Sequence, residues 1–253
     1  MAAMSNPGPA HEPGGGPVGD PARGPGGPSG FTAFAHEVLA VVLSVREGRL
    51  RVLLWRRERA PDAGRWALPG GGVGADQRLR DAIGTHLAAK VDVRDVSWLE
   101  QVATHSRVDR DPRERVLATG YLALVPVDAT PVLPADTAWF DVADLPPTAF
   151  DHHHFVEAAV DRLRAKLSYT NIGFALAPVE FTMPVMRDIV SAALGHAVTT
   201  TNLTRVMTRR AMVEPTGATS APGPHGGRPA LVYRFRERTL TVTDPYAVLR
   251  PPD

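Results

Sequence analysis

Four clusters in this chain combine residue types that could do chemistry. Arg110-Asp111-Pro112-Arg113-Glu114-Arg115 sets guanidinium groups close together, and planar guanidinium forks suit the paired oxygens of a pyrophosphate. Trp66-Ala67-Leu68-Pro69-Gly70-Gly71-Gly72 ends in successive glycines, which let backbone approach a ligand or another chain segment. Phe150-Asp151-His152-His153-His154 invites a metal reading. Adjacent helical residues point about 100° apart, however, so a helix start with Asp151 as N-cap is the better reading and no metal is expected. Finally, residues 199–212 hold three arginines and no acid, a composition suited to reading base edges and phosphates.

Positioning those clusters requires two folding units. Val38–Val45 and Leu50–Trp55 are apolar runs around the turn Arg46–Arg49, a hairpin pattern. Leu79, Ala82, Ile83, Leu87 and Val91 recur at helical spacing within Arg78–Val91, and Val156, Ala159, Val160, Leu163 and Leu167 do so within Phe155–Leu167. Trp98–Thr104, Arg115–Val125 and Trp139–Phe140 supply further strands. The pattern changes near Ala177-Pro178. Thr182 can cap a helix with Pro184 in its first turn, running through Met186, Ile189, Val190, Ala193 and Leu194 to Gly195. After a short link, Thr199 or Thr200 can cap a second helix whose Leu203, Val206 and Met207 face inward. That is helix-turn-helix grammar, and Thr200, Thr201, Asn202, Arg205 and Arg209 are the candidate DNA-contacting residues. A strand follows in which Leu231, Tyr233 and Phe235 alternate with Val232 and Arg234, so a wing beside the recognition helix would carry Arg228 toward phosphate.

Composition sets limits around these clusters. The chain has 253 residues, 43% of them hydrophobic, and a formal net charge of +1, so bulk charge names no partner. Cysteine is absent, which removes disulfides, thiolate catalysis and cysteine-ligated metal sites. The longest apolar run has strand length, far short of a membrane span. Residues 1–30 contain 9 Gly and 7 Pro and almost no large aliphatic side chain, so they are read as a disordered tail without the features of a secretory signal. The expected layout is a tail over 1–34, one domain over 35–168, a second over 169–238, and a C-terminal tail over 239–253, for whose alternating Thr239–Thr243 stretch no role is legible.

The first unit resembles the Nudix family. Its signature, G-x5-E-x7-R-E-U-x-E-E-x-G-U after Leu-Pro-Gly-Gly, aligns without a gap on Leu68-Pro69-Gly70-Gly71, with Leu87 and Val93 at the aliphatic positions. Gln77 stands for the first glutamate, Thr85 for the arginine, His86, Ala89 and Lys90 for the helix glutamates, and Asp92 for the closing glycine. Residues 86, 89 and 90 share a helix face, where active members hold the carboxylates that a hard Mg²⁺ needs. Without them the resemblance implies a nucleotide-binding pocket that does not cleave, with no cofactor and no metal. Arg57, Gly71, Gln101, Arg110, Arg113 and His152 are its candidate effector-binding residues, Arg110–Val116 and Phe150-Asp151-His152 on resemblance to ADP-ribose-recognising relatives.

Taken whole, residues 35–237 are similar to the Nudix-related transcriptional regulators of NAD metabolism. Phe174-Ala175-Leu176 before Phe181-Thr182, Asn202-Leu203-Thr204-Arg205 and Gly227-Arg228-Pro229 carry the second half of that likeness. It implies an α+β protein, a Nudix-like α/β/α sandwich followed by a winged helix-turn-helix. It also implies a cytoplasmic homodimeric repressor of NAD synthesis or salvage genes, bound to a double-stranded operator and controlled by ADP-ribose or a related nucleotide, with Arg162–Pro178 as transmission element. Two other readings stay open: a hydrolase whose metal is held by Asp76, Asp81 or Glu100, and a module whose winged helix contacts protein.

Overall fold

In the computed structural model, residues 32–221 and 229–244 are described. The expected tail up to residue 31, the wing tip with Arg228, and the chain beyond Asp244 lie outside them. Among the described residues ten strands and four helices run in the order β1 Ala35–Arg46, β2 Arg49–Arg56, β3 Trp66–Ala67, β4 Gly70–Gly72, α1 Leu79–Val91, β5 Trp98–His105, β6 Val116–Leu124, β7 Thr137–Asp141, α2 His152–Tyr169, β8 Phe181–Thr182, α3 Met183–Leu194, α4 Thr200–Arg209, β9 Val213–Thr219 and β10 Leu231–Phe235. A 3-10 turn, Ile172–Ala175, separates α2 from β8.

The first unit is a mixed seven-stranded sheet in which β1 pairs in parallel with β6, from Ala35 beside Val116 to Leu43 beside Leu124. Because β-strand side chains alternate, β1 serves two cores. Val38, Ala40 and Val42 pack with Ala82, Ile83, Leu87 and Val91 of α1, whereas Leu39, Val41 and Leu43 pack on the side of Phe155, Ala159 and Leu163 of α2. Burial on both faces explains why β1 reads as an unbroken apolar run. The sheet between helices is the expected sandwich. Asp76 stands apart from the start of α1, whose N-cap position is Arg78 without a side-chain cap bond.

In the second unit α3 and α4 lie in the chain between β8 and β9 of a three-stranded sheet ordered β8-β10-β9. Gly195 ends α3 in the left-handed region at φ 79°, which a residue with a Cβ adopts only at a cost. Thr199 caps α4 by accepting from the Asn202 backbone N–H at 3.3 Å. Thr182 holds the N-cap position of α3 without a side-chain cap bond and is drawn into pairing with Val232 instead. Leu203 and Met207 of α4 are buried; Val206 is half-buried, and Leu231 of β10 is exposed where alternation placed it inward. That strand shifts register between Leu231 and Tyr233, which breaks the expected period.

The two units are not separated by a linker. One core runs from Leu39 and Leu163 through Ile172 and Phe174 to Phe181, Met186 and Phe235. Edge-to-face rings bridge it, Trp98 to Phe174 and Phe174 to Phe235, both at 6.4 Å. The Val127 N–H donates to Leu176 O at 2.9 Å. The expected division at residue 168 therefore falls inside packed structure. The segment after 239 is also tied down as far as Asp244: Thr241 N–H donates to Asn171 Oδ1 at 2.7 Å, and Thr243 N–H to Tyr169 O at 2.8 Å.

Candidate effector site and nucleic-acid interface

The glycine run is held from both sides. Trp55 Nε1 donates to Leu68 O at 3.2 Å, and the Leu68 N–H donates to His152 Nδ1 at 3.0 Å. Gly70–Gly72 then pair with Glu37–Leu39 of β1. A Cβ on Gly70 would lie 2.1 Å from Val38 O, and one on Gly71 would lie 2.6 Å from the His86 ring. The close approach that these glycines permit is thus to β1 and α1 of the same chain.

His152 is buried and accepts at Nδ1, so its proton sits on Nε2, which has no partner among the described residues. Burial drives its pKa down to about 3, with Arg110 and Arg57 adding to the fall against Asp151 and Asp62, and the ring is neutral at physiological pH. The His153 and His154 rings lie 3.9 Å apart and the His154 Nδ1 meets Glu157 at 3.2 Å, and among the described residues no group of three His, Asp or Glu is placed to hold a metal ion.

Arg110 lies deeper than the sequence suggested. Its side chain is only 1% exposed, with Nη1 donating to Glu37 Oε1 at 2.7 Å and Nη2 and Nε donating to Asp151 at 2.8 and 3.3 Å. His105, stacked on Phe155 at 3.9 Å, adds a bond to Asp151 at 3.1 Å. Burial alone would raise the Asp151 carboxyl, but Arg110 and His105 hold it below the ordinary carboxylate range. Asp151 does stand at the N-cap of α2, yet its oxygens go to this network and not to the helix. Arg110 is accordingly a positioning residue of the loop, not an open donor.

What remains open to a ligand surrounds Phe150. This residue adopts φ 49°, a region unfavourable for a bulky side chain, with its N–H fixed by Asp62 at 2.8 Å. Arg57 sits 4.8 Å and Arg113 5.9 Å from its ring centroid. Arg113 is half exposed and held by Asp111 at 2.6 Å. Gln101 is exposed at the irregular part of β5 and does not join this cluster. The structure therefore brings together Arg57, Arg113, His152 and the Gly71 strand, encloses Arg110, and leaves Gln101 apart. Glu37 had no sequence signal, because it is an ordinary polar residue at a strand start until the fold places Arg110 against it.

The position of the family's divalent cation does not fit the residues present. His86 Nε2 lies 2.9 Å from Gly72 O, Ala89 offers no donor, and the Lys90 ammonium donates to Gly70 O and lies 4.6 Å from the Trp55 ring centroid. A hard cation needs oxygen ligands, and a positive side chain occupies the place. Of the acids that the hydrolase reading would use, Asp76 and Asp81 are exposed, while Glu100 is bound to Arg162 at 2.8 Å and Lys166 at 3.2 Å.

The second interface is the outer face of α4. Thr201, Asn202, Arg205, Thr208 and Arg209 are exposed, and Thr200 is half-buried with its hydroxyl accepting from Arg187 at 3.4 Å. Arg205 donates to Asn202 Oδ1 at 2.8 Å, and among the described residues neither Arg205 nor Arg209 has an acidic partner. A helix face with guanidinium and amide groups unclaimed by carboxylates is suited to the major groove.

Comparison with known proteins agrees with both halves. Residues 35–159 match the NUDIX domain and residues 173–235 the NrtR DNA-binding winged helix domain. The chain is 33% identical over 201 residues to the ADPR responsive transcriptional repressor NtrR of Acinetobacter baylyi, covering 77% of this chain and 79% of that protein. The chain belongs to the NrtR family of transcriptional regulators. Solved NrtR of Shewanella oneidensis in complex with a 27mer DNA is 30% identical, with TM-score 0.70, covering 79% of this chain and 93% of that one. A MutT/nudix family protein from Enterococcus faecalis shares the fold, with TM-score 0.63 at 21% identity over 83% of this chain and 90% of that one. In the NrtR family as in this chain, a Nudix domain precedes the winged helix.

Proposed function

We propose that this chain is a cytoplasmic, homodimeric repressor of genes for NAD synthesis or salvage, released from or set on its operator by ADP-ribose or a related nucleotide that it binds without cleaving. The observation that carries the reading is the basic face of α4, with Asn202, Arg205 and Arg209 exposed and no acid against them among the described residues. Residues that match the catalytic carboxylates of Nudix enzymes are His86, Ala89 and Lys90, which supports binding in place of hydrolysis. The relative from Acinetobacter baylyi is named as ADPR responsive, which supports the choice of effector.

Two recognition helices of a dimer would read half-sites about one helical turn apart. Ligand and operator must then favour different arrangements of the two halves, since equal affinity for both arrangements shifts nothing. The path between them is the shared core: α2, the buried turn Ile172–Ala175, and the Trp98, Phe174 and Phe235 rings. The test is fluorescence anisotropy on DNA from the gene's own upstream region at two salt concentrations, with and without ADP-ribose, beside analysis of the nucleotide. Specific binding that ADP-ribose shifts while remaining intact is the expected result. Absence of specific binding together with metal-dependent cleavage overturns the reading.

A further inference from the structure

Two cations stand at the end of β2, Lys90 over the Trp55 ring and Arg57 two residues beyond that tryptophan. Arg57 donates to Pro61 O at 3.2 Å and covers the Phe150 ring, and Lys90 donates to Gly70 O and covers the Trp55 ring. Each is oriented by a carbonyl and an aromatic face, and neither forms an ion pair among the described residues. Two acids lie at this corner, and both are committed elsewhere: Glu37 Oε1 to Arg110 at 2.7 Å, and Asp62 to the Phe150 N–H at 2.8 Å and to Arg65 at 3.4 Å. Burial, and then the nearness of Arg57, lower the Lys90 pKa against the pull of Glu37. Holding two positive groups together without a counter-charge costs free energy, and an anion that bridges them recovers it.

We propose that the Lys90 ammonium takes the place of the divalent cation as a built-in counter-charge which, with Arg57, binds the diphosphate of the effector. The inference rests on the nucleotide reading above but fixes which side chains meet the diphosphate and makes binding independent of metal. The ammonium has N–H groups to spare beyond the one given to Gly70 O. The ammonium already rests 4.6 Å from the Trp55 ring centroid, so the charge is placed in advance, and immobilising a long side chain costs little at the moment of binding.

The test measures binding of inorganic pyrophosphate and of ADP-ribose by calorimetry in the presence of chelator and again with Mg²⁺. It compares the native protein with Lys90→Met, which keeps the apolar stem, and Lys90→Arg, which keeps the charge. Native protein is expected to bind both probes equally with chelator and with Mg²⁺, Lys90→Met to lose about tenfold for both, and Lys90→Arg to stay within about threefold. Far-UV circular dichroism and duplex binding check that each variant is folded. A native affinity that rises tenfold on adding Mg²⁺, pyrophosphate binding unchanged in a folded Lys90→Met, or no pyrophosphate binding at all overturns the inference. Should pyrophosphate bind through Lys90 and ADP-ribose not bind, the choice of nucleotide falls and the role of Lys90 stands.

Discussion

The Arg110 network and the outer face of α4 use the same residue type in opposite ways. Arg110 is enclosed, with three of its donors given to Glu37 and Asp151, and it joins the start of β1, the loop before β6 and the head of α2. Arg205 and Arg209 stand on an exposed helix face with no carboxylate beside them among the described residues. Arginines whose charge is answered inside the fold build the site, whereas those left unanswered are available to a partner. Arg57 and Lys90 are among the cations of the first unit that form no ion pair among the described residues, and each lies over an aromatic ring.

The largest expected effect breaks the enclosed side of that comparison. Arg110→Met would strip the half-buried Glu37 of its ion pair and leave the buried Asp151 with His105 alone, at an expected cost of about 3–5 kcal/mol in urea unfolding. A loss under about 1 kcal/mol would mean that the network is solvated and that Arg110 is available to ligand. Next comes the neutral His152. Its folded-state pKa of about 3 lies below the unfolded value near 6.5, so the unfolded chain takes up the proton first as pH falls. Stability is then whole above about pH 6.5 and is lost on acidification, by about 2 kcal/mol at pH 5, and His152→Asn should flatten that slope between pH 7 and 5.

The exposed side of the comparison predicts effects on binding without effects on stability. Arg205→Ala is expected to leave the unfolding midpoint unchanged and to remove about 1–3 kcal/mol of duplex affinity, concentrated at one base position of the operator. A uniform loss across sequences would reassign Arg205 to phosphate contact. The smallest effect is at the cap: Thr199→Ala should cost about 1 kcal/mol of stability through loss of the bond from Asn202 N–H.

Much of the fold was legible because its signals are local. The periodicity of α1, the turn after α3 and the composition of α4 each involve residues within a few positions of one another, and each element formed near its expected bounds. Register was less legible. Leu231 became exposed because β10 slips where it meets β9, which depends on a second strand and not on the spacing within the first.

The site divides in the same way. The sequence by itself determined the order of the two units, the replacement of carboxylates by His86, Ala89 and Lys90, and the basic face of α4, since these depend only on residue identity and helical spacing. Tertiary structure decided that Arg110 would be enclosed, that Asp151 would serve an ion pair in place of a cap, and that Lys90 would settle on Trp55 and Gly70. Glu37 and Arg110 are 73 positions apart, and Arg110 and Asp151 are 41. A charge's role depends on which charges the fold brings within a few ångströms of it, and that distance has no counterpart in the spacing along the chain.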